Sequence, residues 1–178
     1  MPDSLSLEVL RKNSAEAILS MHSPNTAPTF ETIQPALVQL NANAISVPTT
    51  GGNVTLGYLF LTIVRAAYQS LSLGNVDHPP PEAPPVAPTF PQHSTGTHIY
   101  EARRTFDDTV RGFKIYHTVD VVLKKQLLTS IDDKYVRVQK TRNTGYAHIT
   151  TRTLIEHLLN TYGQITPDEL INNEELMK

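Results

Sequence analysis

A chain of 178 residues fits one domain of ordinary size and can bury a real hydrophobic core. It contains no cysteine, which excludes disulfide bonds, thiolate nucleophiles and cysteine-ligated zinc and is compatible with a reducing intracellular setting. The formal net charge of −2 argues against a dedicated polyanion binder, and no run of apolar residues approaches the ~18 of a membrane span. Because the N-terminus has no signal-peptide pattern, the expected location is the cytoplasm, with the nucleus as the alternative.

The first part of the chain predicts a flexible arm followed by a small helical subdomain. Residues 1–28 carry one weak amphipathic segment before a turn-rich sequence, so we expect an arm there. Residues 29–74 form the expected N-terminal subdomain, which opens with a helix that has Thr32 as its N-cap and Pro35 in its first turn. Four apolar residues of this helix share one face: Ile33, Leu37, Leu40 and Ala44.

Residues 45–74 allow two interpretations. β-Rich stretches flank a turn region with a proline and a Gly-Gly pair, which predicts a short β-hairpin near 45–62. Apolar residues at helical spacing run through the same segment, so the part after Thr62 is expected to be a helix that ends near Gly74. We favour a hairpin that leads into a helix and leave hairpin against helix open for 54–62.

The middle of the chain is rich in proline. Residues 75–96 hold 7 of the 13 prolines, which excludes a helix or a central strand and predicts an extended linker or surface strap. A proline-rich ligand for a partner domain is the alternative to a spacer. The remaining residues, 97–178, form the expected helical core domain, so the predicted fold class is mainly α.

A long amphipathic helix near 97–129, with Thr97 as its N-cap, dominates the expected core domain. The first apolar residues on its face are spaced 3, 4, 4 and 3 residues apart: Ile99, Ala102, Phe106, Val110 and Phe113. The same face continues through four more residues: Tyr116, Val119, Leu123 and Leu127. Asp132 is the expected N-cap of a new helix after this one, and residues 143–145 predict a turn.

Two more helices are expected after that turn. The first is capped by Thr150 or Thr151, and Gly163 ends its apolar stripe: Leu154, Leu158, Leu159 and Tyr162. The second runs from Pro167 toward Met177 and opens with a capping box. The residues with the best patterns are the candidates for the core or for assembly surfaces: Phe113, Tyr116, Leu123, Leu127, Leu154, Leu158 and Tyr162.

No pattern in the sequence predicts an enzyme. The seven histidines form no compact metal-ligand motif, and there is no nucleophile elbow or dinucleotide glycine fingerprint. The adjacent carboxylates at 107–108 and 132–133 point about 100° apart on a helix and do not converge as an acid/base pair. We predict no catalytic residue, no cofactor, no metal site, no small-molecule substrate and no membrane contact.

One basic segment is the best candidate for contact with a nucleic acid. Residues 97–163 carry 11 basic and 7 acidic side chains, while both flanks are acidic. The candidate residues within them are four cations: Lys134, Arg137, Lys140 and Arg142. Spacings of three residues predict that three of these cations share one helix face. Four charges make a modest site, and an ordinary solvated surface is the favoured interpretation.

The sequence resembles Gag-like proteins of copia-type long-terminal-repeat retrotransposons of the kind found in algal and other protist genomes. The resemblance covers roughly residues 28–170, and its most specific parts are YHTVDVVLKKQLL and LIEHLLNTYGQITPDEL. It implies a helical capsid-like protein that self-associates into particles around element RNA. The implied partners are therefore further copies of the chain and, more weakly, that RNA.

Two departures qualify what the resemblance implies. Many such Gag proteins end in a zinc knuckle, which a chain without cysteine does not contain. The sequence also stops where a further helical half is expected, so we interpret it as mainly the N-terminal capsid portion. The leading hypothesis is a non-enzymatic assembly protein, which occurs in virus-like particles if the element is active. The alternatives are a nucleic-acid-binding module and a degenerate or host-captured remnant with no retained activity.

Overall fold

The computed structural model describes residues 21, 26–49, 53–72, 84–93 and 95–164. Within these residues, five α-helices form most of the regular structure. The helices are α1 (Phe30–Ile45), α2 (Arg65–Leu71), α3 (Gly96–Ser130), α4 (Asp133–Val136) and α5 (Thr151–Tyr162). Three short 3₁₀ turns lie between them, at Val54–Leu56, Leu59–Leu61 and Arg137–Gln139. The described residues contain no strand, and the predicted mainly α fold with a long helix near 97–129 is confirmed.

α1 begins one turn earlier than its sequence predicts. Thr29 is the N-cap, and the hydroxyl of Thr32 accepts a hydrogen bond from the Thr29 N–H at 2.9 Å. The prediction of Thr32 as N-cap was wrong because this hydroxyl bonds back to the cap from inside the first turn. Pro35 consequently lies in the second turn, where its missing N–H leaves the carbonyl of Glu31 without its helical donor. The predicted apolar face is buried.

The predicted hairpin near 45–62 is wrong, since the described residues there form two 3₁₀ turns instead. The Tyr58 N–H donates to the carbonyl of Ala44 at 3.0 Å, which brings the chain back against the end of α1. Gly57 permits this approach with a φ of +49°, because a Cβ would lie 2.5 Å from the Val47 carbonyl oxygen. All four residues of 58–61 are buried, whereas a two-stranded hairpin would leave alternate residues exposed. The helix predicted after Thr62 is present as α2.

α3 starts at Gly96 with Thr95 as its N-cap, whose hydroxyl accepts from the His98 N–H at 3.4 Å. The prediction of Thr97 as N-cap was therefore wrong by two residues. After α3 ends, the Asp132 carboxylate accepts from the Lys134 N–H at 3.1 Å and caps α4, as the sequence predicts.

The other capping predictions agree with the structure up to Gly163. The turn at 143–145 is present, with Gly145 at a φ of +59°. Thr150 caps α5, which ends at Tyr162, and Gly163 follows it. The helix expected from Pro167 toward Met177 lies outside the described residues.

One hydrophobic core joins the two parts of the chain that flank the proline-rich segment. Its buried side chains come from α1, the turns at 54–61, α2, the second half of α3, α4 and α5. The described parts of 29–74 and 97–178 thus share this core. Most of the expected arm at 1–28 lies outside the described residues, but Met21 is fully buried and its N–H donates to the Ser130 carbonyl at 2.8 Å.

Candidate interaction surfaces

α3 is divided at Val119 into two halves with different environments. Its last twelve residues, 119–130, are the core half and include seven buried positions: Val119, Asp120, Leu123, Lys124, Gln126, Leu127 and Ser130. Its first 23 residues, Gly96–Thr118, include no buried position and form what we name the extension. At about 1.5 Å per residue, the extension is about 35 Å long.

The extension carries a continuous apolar face. Of the residues from Gly96 to Lys114, five are half-buried and all others are exposed. These five, which we name the extension stripe, are the residues that the spacing singled out: Ile99, Ala102, Phe106, Val110 and Phe113. The described proline-rich residues border this helix, since the guanidinium carbon of Arg103 lies 5.9 Å from the centre of the Phe90 ring.

The extension stripe meets the core at Tyr116, whose ring stacks on Phe60 with centres 6.1 Å apart. Burial raises the pKa of Tyr116, and the neighbouring Asp120 carboxylate raises it further. Phe113, one turn earlier, has its ring against His117 at 4.4 Å and is not among the core residues. Core contact on this face of α3 therefore begins between these two aromatic residues.

The predicted core or assembly residues fall into three groups. Four of them are fully buried in the core: Leu123, Leu127, Leu154 and Leu158. Tyr116 and Tyr162 are half-buried at its edge, and the Tyr162 ring lies edge-on to Tyr135 at 5.5 Å. Phe113 alone belongs to the extension stripe.

The buried residue Asp120 pairs with Lys124 within α3 and also joins α3 to α5. One carboxylate oxygen of Asp120 accepts from the Thr151 N–H at 3.0 Å, and the other lies 3.3 Å from Lys124 Nζ. The Thr151 hydroxyl also donates to the Asp120 carbonyl at 3.0 Å. Asp120 therefore satisfies a backbone donor at the first turn of α5 and fixes the register between the helices.

Sequence reasoning did not identify Asp120 as a structural residue. The local signal is a carboxylate and a lysine one turn apart among residues that point into the core, Val119 and Leu123. Its partner Thr151 is 31 residues away, so only the packed fold shows the contact.

The basic segment does not form the predicted helix face. α4 ends at Val136, Arg137 begins a 3₁₀ turn, and Arg142 lies in the turn that follows. Lys134 lies 3.4 Å from the Asp132 carboxylate, and Lys140 lies 3.2 Å from that of Asp133. The prediction of one shared helix face was wrong because the regular α-helix ends after four residues, at Val136. In addition, two of the four cations are paired with aspartates.

Asp133 is the centre of a small exposed polar cluster. Its carboxylate accepts hydrogen bonds from Lys140 and from the Tyr146 hydroxyl, at 3.2 and 3.0 Å, and these bonds hold the pKa of Asp133 below its ordinary value. Burial, followed by the hydrogen bond to Asp133, raises the pKa of Tyr146 to about 12. The pKa of Lys134 is raised by its contacts with Tyr135 and Asp132.

Some of the described histidines and acidic residues make contacts within the fold. No group of three of them in the described part of the chain is arranged to hold a metal ion. His157, for example, bonds through its two ring nitrogens to the Tyr135 carbonyl at 3.1 Å and to the Thr161 hydroxyl at 3.3 Å. Asp108 pairs with Arg111 at 3.5 Å.

No helix in the described ranges has both the length and the apolar character that crossing a bilayer requires. Comparison of the chain with protein-family models, with curated proteins and with solved structures gave no match.

Proposed function

We propose that this chain is a non-enzymatic, Gag-like structural protein of the copia-type retrotransposon kind, which self-associates through its helical surfaces. The observation that carries the proposal is the extension of α3, which continues for 23 residues before the first buried position of that helix. The sequence resemblance over residues 28–170 supports the same function, and the mainly helical fold is consistent with it.

The extension is suited to association because its apolar face is continuous and only half-buried. Surface helices normally cover such a face against the core of their own domain. Each apolar side chain that leaves water on association contributes about 25 cal/mol per Å² of buried area. A second helix packed along the extension stripe would therefore bury apolar area that stays exposed in the single chain, and this burial would stabilise the associated form.

Light scattering and sedimentation over a concentration series test self-association directly. We expect the mean mass to rise with concentration, and electron microscopy of the most concentrated sample should show particles or defined oligomers. A chain that keeps the mass of one copy at every concentration, with no particles, contradicts the proposal.

Binding of RNA through the basic segment is the alternative function. It is favoured by the positive balance of residues 97–163 and by the exposed positions of Arg137 and Arg142. The pairing of Lys134 and Lys140 with aspartates weakens it, since those charges are partly compensated. RNA affinity that falls steeply with salt and is lost when all four cations become alanine would support it; salt-insensitive or absent binding would contradict it.

A further inference from the structure

We propose that the extension pairs with the extension of a second copy of this chain, antiparallel and about a two-fold axis that passes beside Phe106. This inference rests on the proposed self-association and specifies its first contact. Three properties of the extension carry it: the symmetry of the extension stripe, the positions of two charged residues beside it, and the place where the core begins.

The extension stripe reads the same in both directions from Phe106. Its spacings of 3, 4, 4 and 3 residues place Ile99 and Phe113 seven residues on either side, and Ala102 and Val110 four residues on either side. In a two-fold contact each residue meets its mirror position on the partner. Antiparallel pairing therefore aligns every stripe residue with another stripe residue, and it sets small Ala102 against larger Val110. A parallel pair would instead set Ala102 against itself and leave a thin layer.

The charges beside the extension stripe distinguish antiparallel from parallel pairing. At 100° per residue, Arg103 and Asp107 lie about 60° and 100° from the centre of the stripe on the same side. Both side chains are exposed. In an antiparallel pair, flanks of the same side meet, which brings Arg103 of one copy within about 3 Å of axial rise of Asp107 in the other, twice by symmetry. In a parallel pair this side would meet the flank that carries Thr105 and Thr109.

The length of the extension allows this pairing without obstruction by the core. Gly96, the first helical residue, is ten residues before Phe106, so its mirror position on the partner is Tyr116. Tyr116 is the stripe-side residue whose ring already stacks on Phe60 of the core. The partner helix thus begins where core contact begins, and the two extensions overlap over their own length.

Two substitutions test whether the extension stripe forms the contact. Phe106→Asp places two carboxylates face to face at the axis, and we expect the dissociation constant from sedimentation to rise about 100-fold. Thr97→Asp is the matched control, since it adds the same charge at an exposed residue of the same helix that lies on the face opposite the stripe centre. It should leave the dissociation constant within about twofold of the original, because residues outside the packed centre contribute little.

Disulfide trapping tests the direction of the pair, and the cysteine-free chain gives a clean background. A mixture of an Ile99→Cys chain and a Phe113→Cys chain should form a mixed disulfide on oxidation. In the antiparallel pair, position 99 of one copy lies at the same height along the helix axis as position 113 of the other, and the two face each other. Either variant alone should not cross-link, because identical positions would lie about 21 Å apart along the axis. Cross-linking of each variant with itself overturns the antiparallel arrangement.

Charge reversal gives an independent readout. Arg103→Asp and Asp107→Arg should each weaken association several-fold, and the double exchange should restore it.

If the original chain associates but Phe106→Asp has no effect and no mixed disulfide forms, this inference fails while the proposed function stands. If the original chain stays a single copy at every concentration, both fail. If Phe106→Asp destabilises a single copy without changing its mass, the chain's own proline-rich segment covers the stripe and the inference is overturned.

Discussion

The two halves of α3 share one continuous predicted apolar face but differ in burial. Leu123 and Leu127 in the core half are fully buried, whereas Phe106 and Phe113 in the extension are half-buried. The difference lies in what surrounds each half. α1 and α5 pack on the core half, and the first aromatic contact with the core is made by Tyr116. Apolar periodicity therefore identifies which face of a helix is suited to burial, while neighbouring elements decide how much of that face the fold itself covers.

The largest expected effect is a difference in stability loss between a substitution in the core half of α3 and one in the extension. Leu123→Ala removes a fully buried side chain and should lower the free energy of unfolding by about 3–5 kcal/mol. Phe106→Ala, the matched change in the extension, should alter the stability of the dilute single copy by less than about 1 kcal/mol. Urea unfolding followed by circular dichroism measures both. Equal losses would mean that the extension belongs to the same cooperative core.

The second-largest expected effect is a difference in stability loss between substitutions of two aspartates of α3. Each of these aspartates is paired with a cation one turn later. Asp120 is 9% exposed and Asp108 is 60% exposed. Asp120→Asn leaves the Lys124 charge without its carboxylate partner in a buried site, and should cost about 2–3 kcal/mol. Asp108→Asn should cost less than about 0.5 kcal/mol because its pair is solvated. Similar losses for the two variants would contradict the division of the helix at Val119.

A smaller effect is expected within the extension, where one substitution should raise the free energy of unfolding instead of lowering it. Gly112 is helical and exposed, and a Cβ built on it meets no atom within 4 Å. Gly112→Ala should therefore stabilise the helix by about 0.5–1 kcal/mol through backbone entropy and helix propensity. Slower hydrogen exchange of the neighbouring amides would show this, while amides of the core half should change less. Faster exchange would indicate that something packs against Gly112.

The smallest effect concerns the exposed cluster at Asp133, outside both halves of α3. Because the fold raises the pKa of Tyr146 to about 12, its contribution to stability is complete below pH 10 and is lost as the pH rises toward 12. Unfolding free energy should thus fall more steeply over this range in the original chain than in Tyr146→Phe. Identical slopes for the two chains would contradict the cause assigned to Tyr146.

The sequence predicts the helices well where local patterns are repeated and poorly where distant parts of the chain decide. The apolar face of α3 and the caps at Asp132 and Thr150 follow from local chemistry. The N-caps at Thr29 and Thr95 were misplaced because several threonines stand near each helix start and any hydroxyl could serve. The hairpin near 45–62 was wrong because long-range packing buries consecutive residues there.

The candidate surfaces show the same limit. The spacing that defined the extension stripe is local, so its residues were found, although their position outside the core was not. The basic segment was placed on one face because charge spacing alone does not reveal where α4 stops. Asp120 was missed because its role depends on Thr151, in a helix that begins 31 residues later.

The length of the extension has a consequence for how a larger assembly could grow. From Phe106 to Val119 there are 13 residues, so the first buried positions of two paired copies would lie about 40 Å apart. A two-fold contact is closed, since both copies use the same surface and none of it stays available. Further copies would then have to attach to the two separated cores, and the geometry of any particle would be set by a second contact that the helix pair holds at a fixed spacing.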